Sequence, residues 1–67
     1  MELSARNQLQ GRVISVKLGS VMAEVQVDIS GQSLLSVITS ASAKQLALKA
    51  GDAVTVVIKA TGVMIGK

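Results

Sequence analysis

Hydrophobic and polar residues alternate along much of this 67-residue chain, and a period of two is typical of strands with one buried face. The clearest stretch is VMAEVQVDI, residues 21–29, whose five odd-numbered residues are apolar while Glu24, Gln26 and Asp28 face the other way. This stretch predicts a strand with a buried face that begins at Val21. The pattern predicts four further strands, at residues 8–16, 33–39, 53–59 and 63–65.

Turns and one helix separate these strands. The segments KLGS (residues 17–20) and SGQS (residues 30–33) predict hairpin turns, and Gly11 is a candidate for a bulge in the first strand. SASAKQLALKAG, residues 40–51, is rich in alanine and predicts a helix, with Ser40 or Ser42 as N-cap and Gly51 as its stop. The order β-β-β-α-β-β predicts a mainly β fold class, a small OB-like five-stranded barrel with one short helix.

The length allows a single domain, residues 1–67, and domains this small need help to stay folded. The chain contains no Cys and no His, which excludes disulfides and ordinary zinc sites. The segments LLSVI and VTVVI are apolar on both faces of a strand, so a single short helix cannot cover them. We therefore expect the chain to self-associate, with the uncovered faces buried against a partner subunit.

Charge and composition narrow the function classes. Seven Lys or Arg residues against four Asp or Glu residues give a net charge of +3, which favours an anionic partner. The cations are scattered and no aromatic residue is present, so the predicted partner is a small anion and no nucleic acid. No apolar run approaches a membrane span and no leader pattern is visible, which predicts no membrane partner and a cytoplasmic location. Without His or Cys, and with scattered carboxylates, the chain is not predicted to be an enzyme.

Hydrogen-bond donors flank two of the predicted strands. Ser4, Arg6 and Asn7 lie just before the first strand, and the segment KATG, which begins at Lys59, follows the fourth. A tetrahedral oxyanion only accepts hydrogen bonds, so its site needs N–H groups, hydroxyls and one or two cations without a competing carboxylate. Both segments have that chemistry. The alternative for Lys59 is a solvated charge at the end of a strand.

These segments, taken together, resemble the molbindins, the small molybdenum-pterin-binding or Mop proteins. SARNQ near the start, AEV in the second strand and KAT followed by VMI near the end occur in the order and at the separations found in that family. The resemblance covers almost the whole chain. It implies an OB-like barrel with strands exchanged between subunits, assembled as a homohexamer that is a trimer of dimers.

The resemblance also implies a ligand and its site. Molbindins bind molybdate or tungstate as the bare oxyanion, with no organic cofactor, and are associated with intracellular molybdenum storage and homeostasis. Ser4 to Asn7 (with Ala5 and Arg6 between them) match the family's N-terminal ligand loop, and Lys59, Ala60 and Thr61 match a second loop contributed by a neighbouring subunit. The implied roles are hydroxyl donors from Ser4 and Thr61, backbone N–H donors from Arg6 and Ala60, and the charge of Lys59, with Asn7 tying the loop together. No protein atom has to coordinate the metal.

A second class of oxyanion site is implied near the threefold axis of the family's hexamer. The candidates are the turn at Gly19, Ser20 and Val21, and the start of the helix at Thr39, Ser40 and Ser42. The first turn of a helix attracts anions, but an ordinary capping role for Ser40 stays open. The alternative function is an OB-like regulatory module that binds nucleic acid or another protein.

Overall fold

Four antiparallel strands form one sheet in the order β3-β2-β1-β4. The computed structural model describes residues 6–67. A single 3-10 turn follows the last strand at Ala60–Gly62. The regular elements are β1 Asn7–Leu18, β2 Met22–Ile29, β3 Gln32–Thr39, the helix α1 Ser40–Gln45 and β4 Ala53–Ile58. This confirms the predicted mainly β fold with one short helix.

The predicted fifth strand, residues 63–65, does not form. Val63 has extended backbone angles (φ −100°, ψ 123°), but no strand within residues 6–67 pairs with this segment. Met64 and Ile65 are 93% and 90% exposed. An extended segment becomes a strand only when a neighbouring backbone accepts and donates its hydrogen bonds, so the apolar pattern alone was not sufficient and the predicted count of five strands was wrong.

Strand β1 bends in the middle, and it pairs with a different neighbour on each side of the bend. Its first half pairs with β4, from Asn7 opposite Ile58 to Arg12 opposite Ala53, and its second half pairs with β2. The register shifts between Val13 and Ser15, which makes Ile14 the extra residue of a bulge. The prediction that Gly11 forms the bulge was therefore wrong.

Gly11 instead allows β2 to lie close to β1. A Cβ atom at this position would lie 2.6 Å from side-chain atoms of Val27 and Ile29 and 3.0 Å from the backbone oxygen of Asp28. Such distances are well inside van der Waals contact, so only glycine fits without displacing β2. The glycine therefore contributes to the bend by its missing side chain.

The hairpin turns agree with the predicted turn segments, with small changes of boundary. Ser30 and Gly31 both have positive φ, 50° and 89°, as a two-residue type I′ turn requires. Gly19 donates its N–H to the Met22 oxygen at 2.9 Å and closes the first hairpin. Val21 lies in this turn, outside β2, and is exposed, so its predicted place on the buried face was wrong.

The helix is shorter than predicted, six residues ending at Gln45. Its N-cap is Thr39, whose Oγ1 accepts the N–H of Ser42 at 3.1 Å, so neither Ser40 nor Ser42 is the cap. The helix ends in a Schellman motif, in which Leu48 N–H donates to the Ala43 oxygen and Ala47 takes φ +50°. Gly51 has φ +94° but lies in the following turn. The prediction that Gly51 stops the helix was wrong. Alanine rarely takes the left-handed conformation, so the sequence did not indicate that Ala47 would end the helix.

The core is small and made of short side chains. Val13, Val25 and Val27 form the buried cluster, and half-buried aliphatic side chains from β1, β2, β3, β4 and the helix–β4 loop pack around it. The predicted alternation in β2 is confirmed, since Ala23, Val25 and Val27 are buried while Glu24 and Gln26 are exposed. Because β3 and β4 do not pair, the barrel stays open along an apolar groove of about 470 Å³.

We expect Gly11→Ala to destabilise the fold by about 1–3 kcal/mol, the usual cost of forcing extra atoms into a packed region. The melting temperature and the urea midpoint should both fall at a fixed protein concentration. Gly66→Ala is the matched control, since no atom lies within 4 Å of a Cβ at that position. Equal stability of the two variants would contradict the close approach of β2 to β1.

Ala47→Gly should have the opposite effect. Glycine takes positive φ without the steric cost that alanine carries at φ +50°, and the gain exceeds the extra entropy lost by glycine on folding, for a net stabilisation of up to about 1 kcal/mol. Ala50→Gly, in the same loop and without positive φ, controls for the entropy term and should destabilise. Thermal unfolding measures both, and a lower melting temperature for Ala47→Gly would refute the proposed strain.

Candidate functional site

The register of β1 against β4 brings the two predicted ligand segments to one end of the sheet. The pairing begins with Asn7 opposite Ile58, and one step further along both strands the next residues are Arg6 and Lys59. Lys59 continues the extended backbone of β4, with φ −67° and ψ 133°. Both residues are exposed. Asn7 was predicted to lie before the first strand, but it is the first residue of β1.

This arrangement occurs within one chain. The resemblance implied that Lys59, Ala60 and Thr61 of one subunit meet the N-terminal ligand loop of another. Within one chain, the pairing of Asn7 with Ile58 brings Arg6 and Lys59 to the same end of the sheet. Ser4 and Ala5, the other predicted ligand residues, lie outside the described residues.

The second segment continues into the 3-10 turn at Ala60–Gly62. Gly62 donates its N–H to the Lys59 oxygen at 2.8 Å, and Val63 donates to the Ala60 oxygen at 3.4 Å. The N–H groups of Ala60 and Thr61 precede these donors and are not used inside the turn. The Lys59 side chain makes no capping hydrogen bond to the turn. The segment therefore presents backbone N–H groups, the Thr61 hydroxyl and an ammonium group close together.

The electrostatic surroundings of this end of the sheet are cationic. Between residues 6 and 67 the one ion pair joins Lys49 to Asp52, at 3.2 Å, so neither Arg6 nor Lys59 is neutralised by a carboxylate of that range. Further along the same face, Arg12 is cross-strand from Asp28 and donates from Nη1 to the Gly51 oxygen at 2.8 Å. An anion at the Arg6–Lys59 end would meet two cations and no competing acid from the described part of the chain.

The second candidate site is also brought together, but its central residue is occupied. Ser40 donates its backbone N–H to the Val21 oxygen and its Oγ to the Gly19 oxygen, each at 2.8 Å. Ser40 is buried, so its hydroxyl fastens the first hairpin to the helix. Thr39 Oγ1 accepts the Ser42 N–H and donates to Ser42 Oγ at 2.7 Å. Ser20 is exposed and lies in the same turn.

A third polar cluster, which the sequence analysis did not single out, holds the loop between the helix and β4. Asp52 accepts the backbone N–H of Lys49 at 3.0 Å and its ammonium at 3.2 Å, and these two donors hold the pKa of the Asp52 carboxyl below its usual value. The backbone N–H of Val13 donates to the backbone oxygen of Asp52, and the backbone N–H of Gly51 donates to the backbone oxygen of Val13. The three-residue spacing between Lys49 and Asp52 is the feature of the sequence that could have indicated this cluster. The cluster is structural, because its polar groups are engaged within the chain.

Residues 6–67 contain neither a metal-binding cluster nor a membrane-spanning helix. Across that range, no three acidic, His or Cys residues lie together as they would around a metal ion. Over the same residues no helix has the length and apolar character needed to cross a membrane. The Arg6–Lys59 end offers two cations and backbone N–H groups, which are donors suited to oxygen atoms that carry negative charge.

Comparison with known proteins bears on the same region. Residues 3–65 match the TOBE domain family. A probable molybdenum-pterin-binding protein of Haemophilus influenzae is 48% identical over 67 residues, covering 98% of this chain and 97% of the relative. The predicted resemblance to molybdenum-pterin-binding proteins is thereby confirmed.

Solved structures agree in fold. A molybdate binding protein from Sporomusa ovata superimposes with a TM-score of 0.96 and 39% identity, covering 100% of both chains. The cytoplasmic molybdate-binding protein ModG, in a form with molybdate bound, superimposes with a TM-score of 0.85 and 44% identity over 90% of this chain and 43% of its own. These matches confirm the mainly β fold class. The chain belongs to the TOBE domain family and, within it, to the molybdenum-pterin-binding proteins.

Proposed function

We propose that this chain binds molybdate or tungstate at the end of the β1–β4 pairing and serves intracellular molybdenum storage and homeostasis in the cytoplasm. The observation that supports the proposal is the β1–β4 register, which ends with Asn7 opposite Ile58 and so brings Arg6 and Lys59 to one end of the sheet, where neither forms an ion pair with a carboxylate of residues 6–67. The relatives that share this fold are described as molybdate-binding or molybdenum-pterin-binding proteins. Binding, and not catalysis, is the proposed activity.

The proposed site uses donors only, as a tetrahedral oxyanion requires. Hydroxyls come from Ser4 and Thr61, and backbone N–H groups come from the Ala5–Arg6 segment and from Ala60. Lys59 supplies charge, and charge-assisted hydrogen bonds of this kind are about twice as strong as neutral ones. Asn7, half-buried at the start of β1, holds the N-terminal segment in register. The anion itself is the ligand, and no organic cofactor is part of the proposal.

A second, weaker oxyanion site is proposed where the first hairpin meets the helix. Ser20 and Ser42 supply the hydroxyls, and the backbone around Gly19 and Val21 shapes the site. Thr39 positions Ser42, because its Oγ1 donates to Ser42 Oγ and accepts the Ser42 N–H. The role of Ser40 changes from ligand to positioning residue, because its N–H and its hydroxyl both bind carbonyl oxygens of the hairpin.

We also propose that the chain works as a homohexamer, a trimer of dimers with strands exchanged between subunits. Three features support self-association: the groove of about 470 Å³ left between β3 and β4, the exposed apolar tail at residues 63–65, and the outward-facing Leu35 on edge strand β3, which is 61% exposed. The doubly apolar strands expected from the sequence are present. A strand from another subunit would satisfy the free edges and cover the apolar core at once.

The alternative of an OB-like module for nucleic acid or protein has less support. Single-stranded nucleic acid is usually held by stacking on aromatic rings, and the sequence contains none. The paired cations lie at one end of the sheet, which suits a small anion better than a polymer. No observation favours this second function specifically.

Lys59→Ala should weaken molybdate binding by about tenfold to a hundredfold, since a hydrogen bond to a charged group is typically worth about 1.5–3 kcal/mol. Lys44→Ala is the matched control: it removes the same charge from the helix and should leave the affinity within about twofold. Isothermal titration with sodium molybdate measures both variants. Equal and small losses would show that the site lies elsewhere.

Ile65→Asp should weaken self-association if the exposed tail packs against a partner subunit, because a carboxylate is costly to bury in an apolar groove. The unchanged protein should sediment at several times its chain mass of 6.9 kDa at micromolar concentration, and the variant should dissociate at higher concentrations than the parent. Gly66→Asp adds the same charge to the same tail without removing an apolar side chain and should have a smaller effect. A folded monomer of the parent protein would refute the proposed assembly.

A further inference from the structure

The two cations of the proposed site each lie one residue beyond the end of the β1–β4 pairing. The seam, defined here as the pairing from Asn7 opposite Ile58 to Arg12 opposite Ala53, is antiparallel and regular. If the same register is extended by one residue, Arg6 lies opposite Lys59. Along β4, Lys59 follows Thr55 and Val57 on the exposed face of the strand, and Arg6 belongs to the corresponding exposed face of β1 by the same alternation. The two side chains therefore share one face of the sheet.

Like charges directly opposite each other destabilise a strand pair. No carboxylate of residues 6–67 forms an ion pair with Arg6 or with Lys59. The contrast with the other end of the seam is clear. There Arg12 lies beside Asp28 of β2 and donates to the Gly51 oxygen, so its charge stabilises the pairing.

Strand β4 lies at the edge of the sheet. Within the described chain β4 pairs with β1 and with no other strand. On the exposed face, Gln10 Nε2 donates a hydrogen bond to Thr55 Oγ1 at 3.3 Å and so joins the two strands. The half-buried side chains of Val54, Val56 and Ile58 and the backbone pairing also hold β4 against β1.

We propose that the charge pair Arg6–Lys59 controls the end of the seam: mutual repulsion loosens it in the ligand-free protein, and a bound dianion closes it. An oxyanion between the two side chains replaces one repulsion by two attractions, so it binds the closed seam more tightly than the open one. A ligand shifts a conformational equilibrium by this difference in affinity. Regulation of the fold by its ligand thus arises at the site itself.

The inference rests on the proposed function for the identity of the dianion, but its first half does not. If repulsion loosens the seam, then removing one charge must tighten the ligand-free protein even though it removes part of the binding site. A residue whose role is purely structural would behave in the opposite way, since its loss would loosen the seam. The direction in which the stability of the seam changes therefore distinguishes the proposal from a purely structural role.

The test is hydrogen exchange measured by NMR on the full chain. Backbone amides at the seam end, such as those of Leu9 and Ile58, are compared with those of the β2–β3 hairpin, in parent protein, Lys59→Gln and the matched control Lys44→Gln. At low ionic strength without molybdate, Lys59→Gln should slow exchange at the seam end by roughly 1.5- to fivefold, the range expected from one cross-strand pair. Lys44→Gln should leave it unchanged, and 1 M NaCl should reduce the difference by screening.

A second arm adds sodium molybdate, with sodium chloride at the same ionic strength as its control. Molybdate should slow exchange at the seam end of the parent by at least as much as the substitution does, and it should have little effect on Lys59→Gln. Unchanged or faster exchange in ligand-free Lys59→Gln overturns the inference, and so does an equal slowing in Lys44→Gln. Failure of molybdate alone, with the ligand-free result intact, counts against the proposed ligand and not against the charge-controlled seam.

Discussion

The double pairing of β1 is the constraint on which the rest of the structure depends. One strand pairs with β4 along its first half and with β2 along its second, so the sheet has to bend where one pairing gives way to the other. Gly11 and the bulge at Ile14 make the bend possible, the first by allowing β2 to lie close and the second by shifting the register. The core valines Val13, Val25 and Val27 gather on the inner side of this bend.

The bend encloses an interior that the chain does not fill. With no aromatic side chain, the core is built from valine, alanine, leucine and isoleucine, and the gap between β3 and β4 stays open as the groove. Hydrophobic stabilisation is roughly proportional to the apolar area removed from water, so the exposed Leu35 and Ile65 represent stabilisation that one chain leaves unused. The same side chains that make the single chain incomplete are available to complete an assembly.

Much of the fold was predictable from sequence because local rules determine it. Alternation identified the four observed strands, and the Ser30–Gly31 turn followed from the residues that tolerate positive φ. Two predictions failed where a non-local partner decides the outcome. Residues 63–65 have a strand pattern but no neighbouring backbone within the described chain, and the bulge moved from Gly11 to Ile14 because β2 determines where the register shifts. The helix stop failed for a local reason, an alanine in a conformation that sequence statistics assign to glycine.

The chemistry of the candidate site could be predicted from the sequence, but which of its residues come together in space was harder to predict. Residue types and the family resemblance selected Arg6 and Lys59, but the β1–β4 register was needed to bring the strand ends beside these residues to the same end of the sheet. Sequence rules for strand pairing would avoid two cations at opposing positions. Sites of function are where a sequence departs from the rules that otherwise favour its fold. In the proposed scheme, two like charges that no carboxylate of residues 6–67 neutralises are unfavourable for the empty sheet and become favourable once a dianion lies between them. In that scheme, occupancy of the site by the anion sets the state of this end of the sheet.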